Sequence, residues 1–162
     1  MTVALGEQFT TVNGIGNHTW AAETAVGNVG AYSRFTIAGG PVLILALWGI
    51  LKTTPMDATA ATLALQHSLG PVAICGDLAA IASDPVGTLY IVNGVSASLM
   101  QKSETGTAGF TAVTVAAMTP IGMTLGDIDV VVGVGNQVGT VEWHCVWQAL
   151  DPLSTLVVGA YA

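Results

Sequence analysis

The sequence predicts an all-β fold, a single sandwich or barrel of jelly-roll-like type with an extended N-terminal arm. Three observations lead there. Short runs rich in Val, Ile, Thr and aromatic residues follow one another, punctuated by Gly, Pro, Asn and Asp. Helical periodicity is almost absent. The third is the stretch Pro41-Val-Leu-Ile-Leu-Ala-Leu-Trp-Gly-Ile-Leu51, apolar without a break. A membrane-spanning helix needs about 20 apolar residues, so this run is too short to cross a bilayer. Gly49 within it, and the turn signals Gly39-Gly40 and Lys52 at its ends, disfavour a buried helix. A central strand is expected, with both faces covered. Val42, Ile44, Ala46, Trp48 and Ile50 would pack on the opposite sheet with Trp143 and Trp147. Leu43, Leu45, Leu47, Gly49 and Leu51 would be closed by loops or by a neighbouring subunit.

The remaining elements follow in chain order. Residues 1–31 are Gly-rich and polar, with apolar anchors at Val3, Leu5, Phe9, Val12, Ile15 and Trp20 and turn signals at Asn13-Gly14 and Gly16-Asn17. They read as an arm or a pair of short strands, leaving 32–162 for the sandwich. Tyr32 to Ile37 and Thr62 to His67 read as strands, with Phe35 aligned to Ile37 and Leu63 to Leu65. Val72 to Cys75 could continue a sheet, and Asp77 to Ala82 resembles one helical turn capped by Asp77. Gly87 to Gly94 is a strand ending in Asn93-Gly94, a hairpin signal that would return through Ser96 to Gln101. A polar loop over 103–111 and a weak strand from Ala112 to Met118 come next. Ile128 to Val134 and Thr140 to Ala149 form the clearest pair. In the second, Val141, Trp143, Cys145, Trp147 and Ala149 face a core, and Thr140, Glu142, His144, Val146 and Gln148 face outward. Thr155 to Val158 closes the chain.

Composition restricts function. Hydrophobic residues make up 52% of 162 and charged residues only 8%, against about 25% in ordinary soluble proteins. With so few charges for a solvated surface, much of the exterior is expected in contacts, since interfaces are poor in Lys, Glu and Asp. Arg34, Lys52 and Lys102 are the only Lys and Arg residues, and the net charge is −7. This argues against direct nucleic-acid binding, which needs clustered cations. Neither a membrane segment nor a signal peptide is read from the sequence. Cys75 and Cys145 are expected to be free and buried.

Candidate chemistry is sparse, and no catalytic, cofactor-binding or metal residues are assigned. His18, His67 and His144 lack ligand spacing with one another or with the cysteines. Glu142 and His144 share a strand face as an acid–base or metal pair would, but read more simply as a polar face pair. Asp127 and Asp129 also share a face and read as a solvated pair. Gly133-x-Gly135 precedes a strand rather than a helix, so it is no dinucleotide fingerprint. Trp48, Trp143 and Trp147 are taken as core residues. Trp20 is the aromatic expected to anchor a contact between subunits.

The runs Phe35-Thr-Ile-Ala-Gly-Gly-Pro-Val-Leu-Ile-Leu-Ala-Leu-Trp-Gly-Ile50, Gly87-Thr-Leu-Tyr-Ile-Val92 and Val141-Glu-Trp-His-Cys-Val-Trp-Gln-Ala-Leu-Asp-Pro-Leu-Ser154 resemble small virion proteins of tailed bacteriophages. The resemblance is one of strand pattern and low charge, without a diagnostic motif. It implies a non-catalytic component that decorates or cements a capsid surface, often as a homotrimer, with itself and the major capsid protein as partners. Phe9, Trp20, Leu43, Leu45 and Leu47 are the expected interface residues. A tail or head–tail connector subunit and a carbohydrate-binding β-sandwich are the alternatives.

Overall fold

Alternating apolar residues generate strands that must pair and then bury one face. In the computed structural model they do so as two facing antiparallel sheets. The structure describes residues 9–10, 16–27, 29–53, 62–78, 81, 84–96, 98–103, 119–133 and 137–160. The anticipated strand Ala112 to Met118, loop residues 104–111, half of the expected helical turn and the anchors Val3, Leu5, Val12 and Ile15 lie outside them.

The strands are β1 (Phe9–Thr10), β2 (Asn17–Gly27), β3 (Gly30–Ala38), β4 (Val42–Leu51), β5 (Leu63–His67), β6 (Val72–Ala73), β7 (Leu89–Ile91), β8 (Gln101–Ser103), β9 (Ile121–Met123), β10 (Gly126–Val132), β11 (Gln137–Ala149) and β12 (Thr155–Val158). The larger sheet runs β1-β2-β11-β4-β7-β8, with β9 also on β4; the smaller runs β12-β3-β10-β5-β6. The chain is thus an all-β sandwich. Most connections cross between the sheets. Residues 17–27, read from sequence as part of an arm or of a pair of short strands, form a strand held between β1 and β11.

Between the sheets lie Phe35, Ile37, Val42, Ile44, Leu47, Leu51, Leu63, Leu65, Tyr90, Val130, Val141, Trp143, Cys145 and Trp147, all nearly inaccessible. The expected inner face of β11 holds except at Ala149, which is exposed at the strand end. Both cysteines are free and buried, Cys75 with its thiol pushed up to about 11 by burial and Cys145 pushed higher still.

The central strand departs from simple alternation. Ala46 pairs with Val146 and Ile44 with Trp147, so Leu45 is an extra residue bulged out of β4. A bulge reverses which parity faces inward. Val42 and Ile44 point to the core before it, and Leu47, Gly49 and Leu51 after it. Leu43, Leu45, Ala46, Trp48 and Ile50 are half-buried on the outer face. The expectation is reversed for the second half of the strand: Leu47 (1% exposed), Gly49 and Leu51 face the core, and Ala46, Trp48 and Ile50 are on the outside. A second bulge places Arg34 as the extra residue of β3, so Tyr32 and Phe35 both contribute inward.

The Asn93-Gly94 hairpin is also corrected. The strand that returns beside β7 is β8, with Leu89 opposite Ser103 and Ile91 opposite Gln101, so the connection spans 92–100. β7 and β9 lie end to end along β4, Ile91 opposite Trp48 and Ile121 opposite Ile44. The chain departs between them and returns at a neck where the Thr119 amide donates to the Asn93 carbonyl at 2.9 Å. A side chain at Gly94, whose φ is +79°, would strike the Thr119 carbonyl. Leu78 exchanges backbone hydrogen bonds with Leu63, 3.0 and 2.8 Å, which is bridge rather than helical geometry.

Two sets of buried polar groups are paired across these elements. The Trp147 indole donates to Thr19 Oγ1 at 2.9 Å, and that hydroxyl donates to the Leu156 carbonyl at 3.1 Å, linking the two sheets. Asp84, 2% exposed, accepts from Tyr90 Oη at 2.9 Å and Lys102 Nζ at 2.7 Å.

Gly49 sits beneath Trp143; an added Cβ would lie 2.8 Å from Val141 Cγ1 and 3.0 Å from the indole. Gly49→Ala is therefore expected to lower unfolding free energy in urea by about 1–3 kcal/mol through overpacking. Gly122→Ala, where a Cβ meets nothing within 4 Å, should leave the midpoint nearly unchanged. Thr19→Val strands the indole N–H and should cost about 1–3 kcal/mol in the same assay.

Candidate functional site

The outer face of the larger sheet gathers the candidate residues. Its strands direct alternate side chains away from the core: His18 and Trp20 from β2, Glu142, His144 and Val146 from β11, and Leu43, Leu45, Ala46, Trp48 and Ile50 from β4. Register places Trp20, His144, Trp48 and Ile91 in one row across four strands, with His18, Val146 and Ala46 in the next.

Within it runs a hydrogen-bonded chain. Lys52 Nζ lies 3.3 Å from Glu142 Oε1, His144 Nε2 lies 3.0 Å from the same oxygen, and His18 Nε2 lies 3.2 Å from His144 Nδ1. An ionised carboxylate only accepts, so it fixes the proton on His144 Nε2; Nδ1 then accepts from His18 Nε2–H. The rings are nearly parallel. Trp48 and His144 are 5.0 Å apart at 6°, His18 and His144 5.3 Å at 2°, and His18 and Trp48 5.9 Å at 4°. Side-chain exposure is 14% for His144, 18% for Glu142 and 39% for Lys52.

Burial, with His144 beside it, lowers the pKa of His18. Burial alone would raise Glu142, but hydrogen bonds from His144 and Lys52, with the charges of both, outweigh it and hold the carboxyl below its ordinary value.

The other sequence candidates sit apart. His67 accepts at Nδ1 from the Leu69 amide and reaches the Thr124 carbonyl through Nε2, both at 3.2 Å, a satisfied structural histidine. It borders a groove of about 400 Å³ between β6 and β9, lined also by Val72, Ile74, Ile121 and Met123. Asp127 accepts from Thr36 Oγ1 at 2.7 Å. Asp129 is buried rather than solvated, and burial raises its pKa against an opposing hydrogen bond from Gln66. Among the described residues no three His, Cys, Asp or Glu side chains are grouped to hold a metal ion. Of the expected interface residues, Trp20, Leu43 and Leu45 share the outer face, and Leu47 does not. Phe9 is placed by its backbone on β1, opposite His18; its side chain lies outside the described set.

Sequence reading isolated the Glu142–His144 pair but not His18, which has no local spacing signal because its partner is 126 residues away. Lys52 closes an apolar run and has no spacing signal toward Glu142, which lies 90 residues away.

The chain predicts acid sensitivity. The unfolded state binds a proton at position 18 more readily than the folded state, so stability falls as pH drops through the ordinary histidine range. The Glu142 contribution is present above the ordinary carboxylate value and is lost as pH falls through its lowered one. Urea midpoints should therefore decrease from about pH 7.5 to 5, and His18→Asn should flatten that first part of the profile.

No protein-family model, characterised protein or solved structure matches the chain.

Proposed function

We propose that this chain is a structural virion protein that decorates and cements the capsid of a tailed bacteriophage, acting as an oligomer through the outer face of its larger sheet. One observation carries the reading. That face presents Trp20, Leu43, Leu45, Trp48, Ile50 and Val146 half-exposed, with the Lys52–Glu142 ion pair at one end. A solvated sheet face normally alternates apolar-in with polar-out. On β4 both directions are apolar, as a surface meant for contact requires.

The strand order supports a jelly-roll reading of the sandwich. β2-β11-β4-β7 facing β3-β10-β5-β6 has the pairing of two interleaved Greek keys, an arrangement common in viral capsid and lectin domains. The mechanism is associative: apolar area removed from water contributes about 25 cal/mol per Å² before the costs of association. Trp20 and Trp48 are the anchors of the type that dominates such interfaces. The expected partners are further copies, as a trimer, and the major capsid protein.

A second reading draws on Trp48, which stands outward beside His144 in the row that begins at Trp20. Aromatic and polar groups on one sheet face also suit a saccharide, and a glycan screen discriminates between the two.

Light scattering should give a defined trimer that binds undecorated capsids in a sedimentation assay. Leu43→Lys should abolish both while changing unfolding free energy by no more than about 0.5 kcal/mol, as a surface substitution does. A monomer that leaves capsids bare overturns the reading; rings or tubes would instead point to a tail or connector subunit.

A further inference from the structure

The contact face carries a pair of histidines where an apolar or fully solvated pair would serve docking as well. Their arrangement fixes how they take up protons. Lys52 and His144 both donate to the Glu142 carboxylate, and His18 donates to His144. Each ring then holds one proton, and among the described residues His18 Nδ1 is the imidazole nitrogen with no hydrogen-bond partner.

An added proton enters there. As it binds His18 Nδ1, the proton on His18 Nε2 can cross the 3.2 Å contact to His144 Nδ1. The net change is one proton taken from solvent, with the positive charge now on His144. That position suits a cation, because His144 is hydrogen-bonded to Glu142 and parallel to the Trp48 indole at 5.0 Å. A second proton would set two N–H groups head-on at the same contact. The pair therefore behaves as one site.

The groups facing this pair are few. β11 supplies Glu142, the end of β4 supplies Lys52, and β4 itself presents the neutral Trp48. β7 adds only Leu89 and Ile91 on this side, and β1 aligns Phe9 with His18. Lys52 and Glu142 offset one another, so among the described residues this cluster is uncharged while both imidazoles are neutral and carries +1 once the pair is protonated. Burying that charge against an apolar partner costs far more than burying the neutral pair.

We propose that His18 and His144 form a single-proton switch on the contact face: the neutral pair permits docking, and uptake of one shared proton releases it. This rests on the assembly reading given above.

Two measurements on the full chain test it together. Light scattering between about pH 7.5 and 5 should show the oligomer falling to monomer, a threefold loss of mass for a trimer. The double variant Lys52→Gln with Glu142→Gln, which keeps the cluster uncharged while removing the carboxylate beside His144, should move the release midpoint to lower pH. The double variant His18→Asn with His144→Asn should remain assembled across the range. In parallel, imidazole NMR signals should show the two rings titrating as a unit, with the His18 curve altered in His144→Asn.

Independent curves, with His18 unchanged in His144→Asn, overturn the shared proton. An oligomer whose mass ignores pH while the rings titrate together overturns the switch and leaves docking intact. A chain monomeric at every pH overturns the docking reading itself.

Discussion

The structure depends on one irregularity in its central strand. Every residue from Val42 to Leu51 is apolar, so hydrophobicity alone cannot decide which side of β4 faces inward. The bulge at Leu45 decides it twice, once for each half of the strand. Val42 and Ile44 complete the core at one end, and Leu47, Gly49 and Leu51 complete it at the other. Without the extra residue, one half of the strand would turn its core residues to the surface. The same shift sends Trp48 outward to stand against His144. Core packing and the outer aromatic row are therefore set by a single backbone feature.

Gly49 is the counterpart of that bulge. With Trp48 outside, the adjacent inward position has no room for a side chain, because Trp143 occupies it from β11. A large residue on one strand covers a missing one on the next, as cross-strand packing allows. The tryptophan and the glycine are thus one unit, and the indole of Trp147 is secured separately through Thr19.

Much of this was legible in the sequence where faces differ chemically. β11 alternates Trp and Cys with Glu and His, so its inner and outer residues could be assigned from period alone. β4 offers no such contrast, and a bulge within a uniformly apolar run leaves no compositional trace. That is why Leu47 and Trp48 were exchanged between faces. Asn93-Gly94 was misplaced for a related reason: a residue with positive φ serves a hairpin or a departure from a strand equally well. Glu142 and His144 were visible as an i, i+2 pair. His18 reaches them only because β2 lies beside β11, a long-range pairing that spacing does not encode.

The neck at Asn93 and Thr119 separates sheet continuity from chain continuity. β7 and β9 act as one interrupted strand on β4, and the excursion between them supplies β8 to the sheet edge and Met100 to the core. The entropy of closing such an excursion grows only logarithmically, about 0.6 kcal/mol for each doubling of its length. Because β8 and Met100 belong to the sheet and the core, the place where chain can change in length without disturbing them is the part of the excursion between Ser103 and Thr119. Variation in what the protein displays can accumulate at that point while the fold that displays it stays constant.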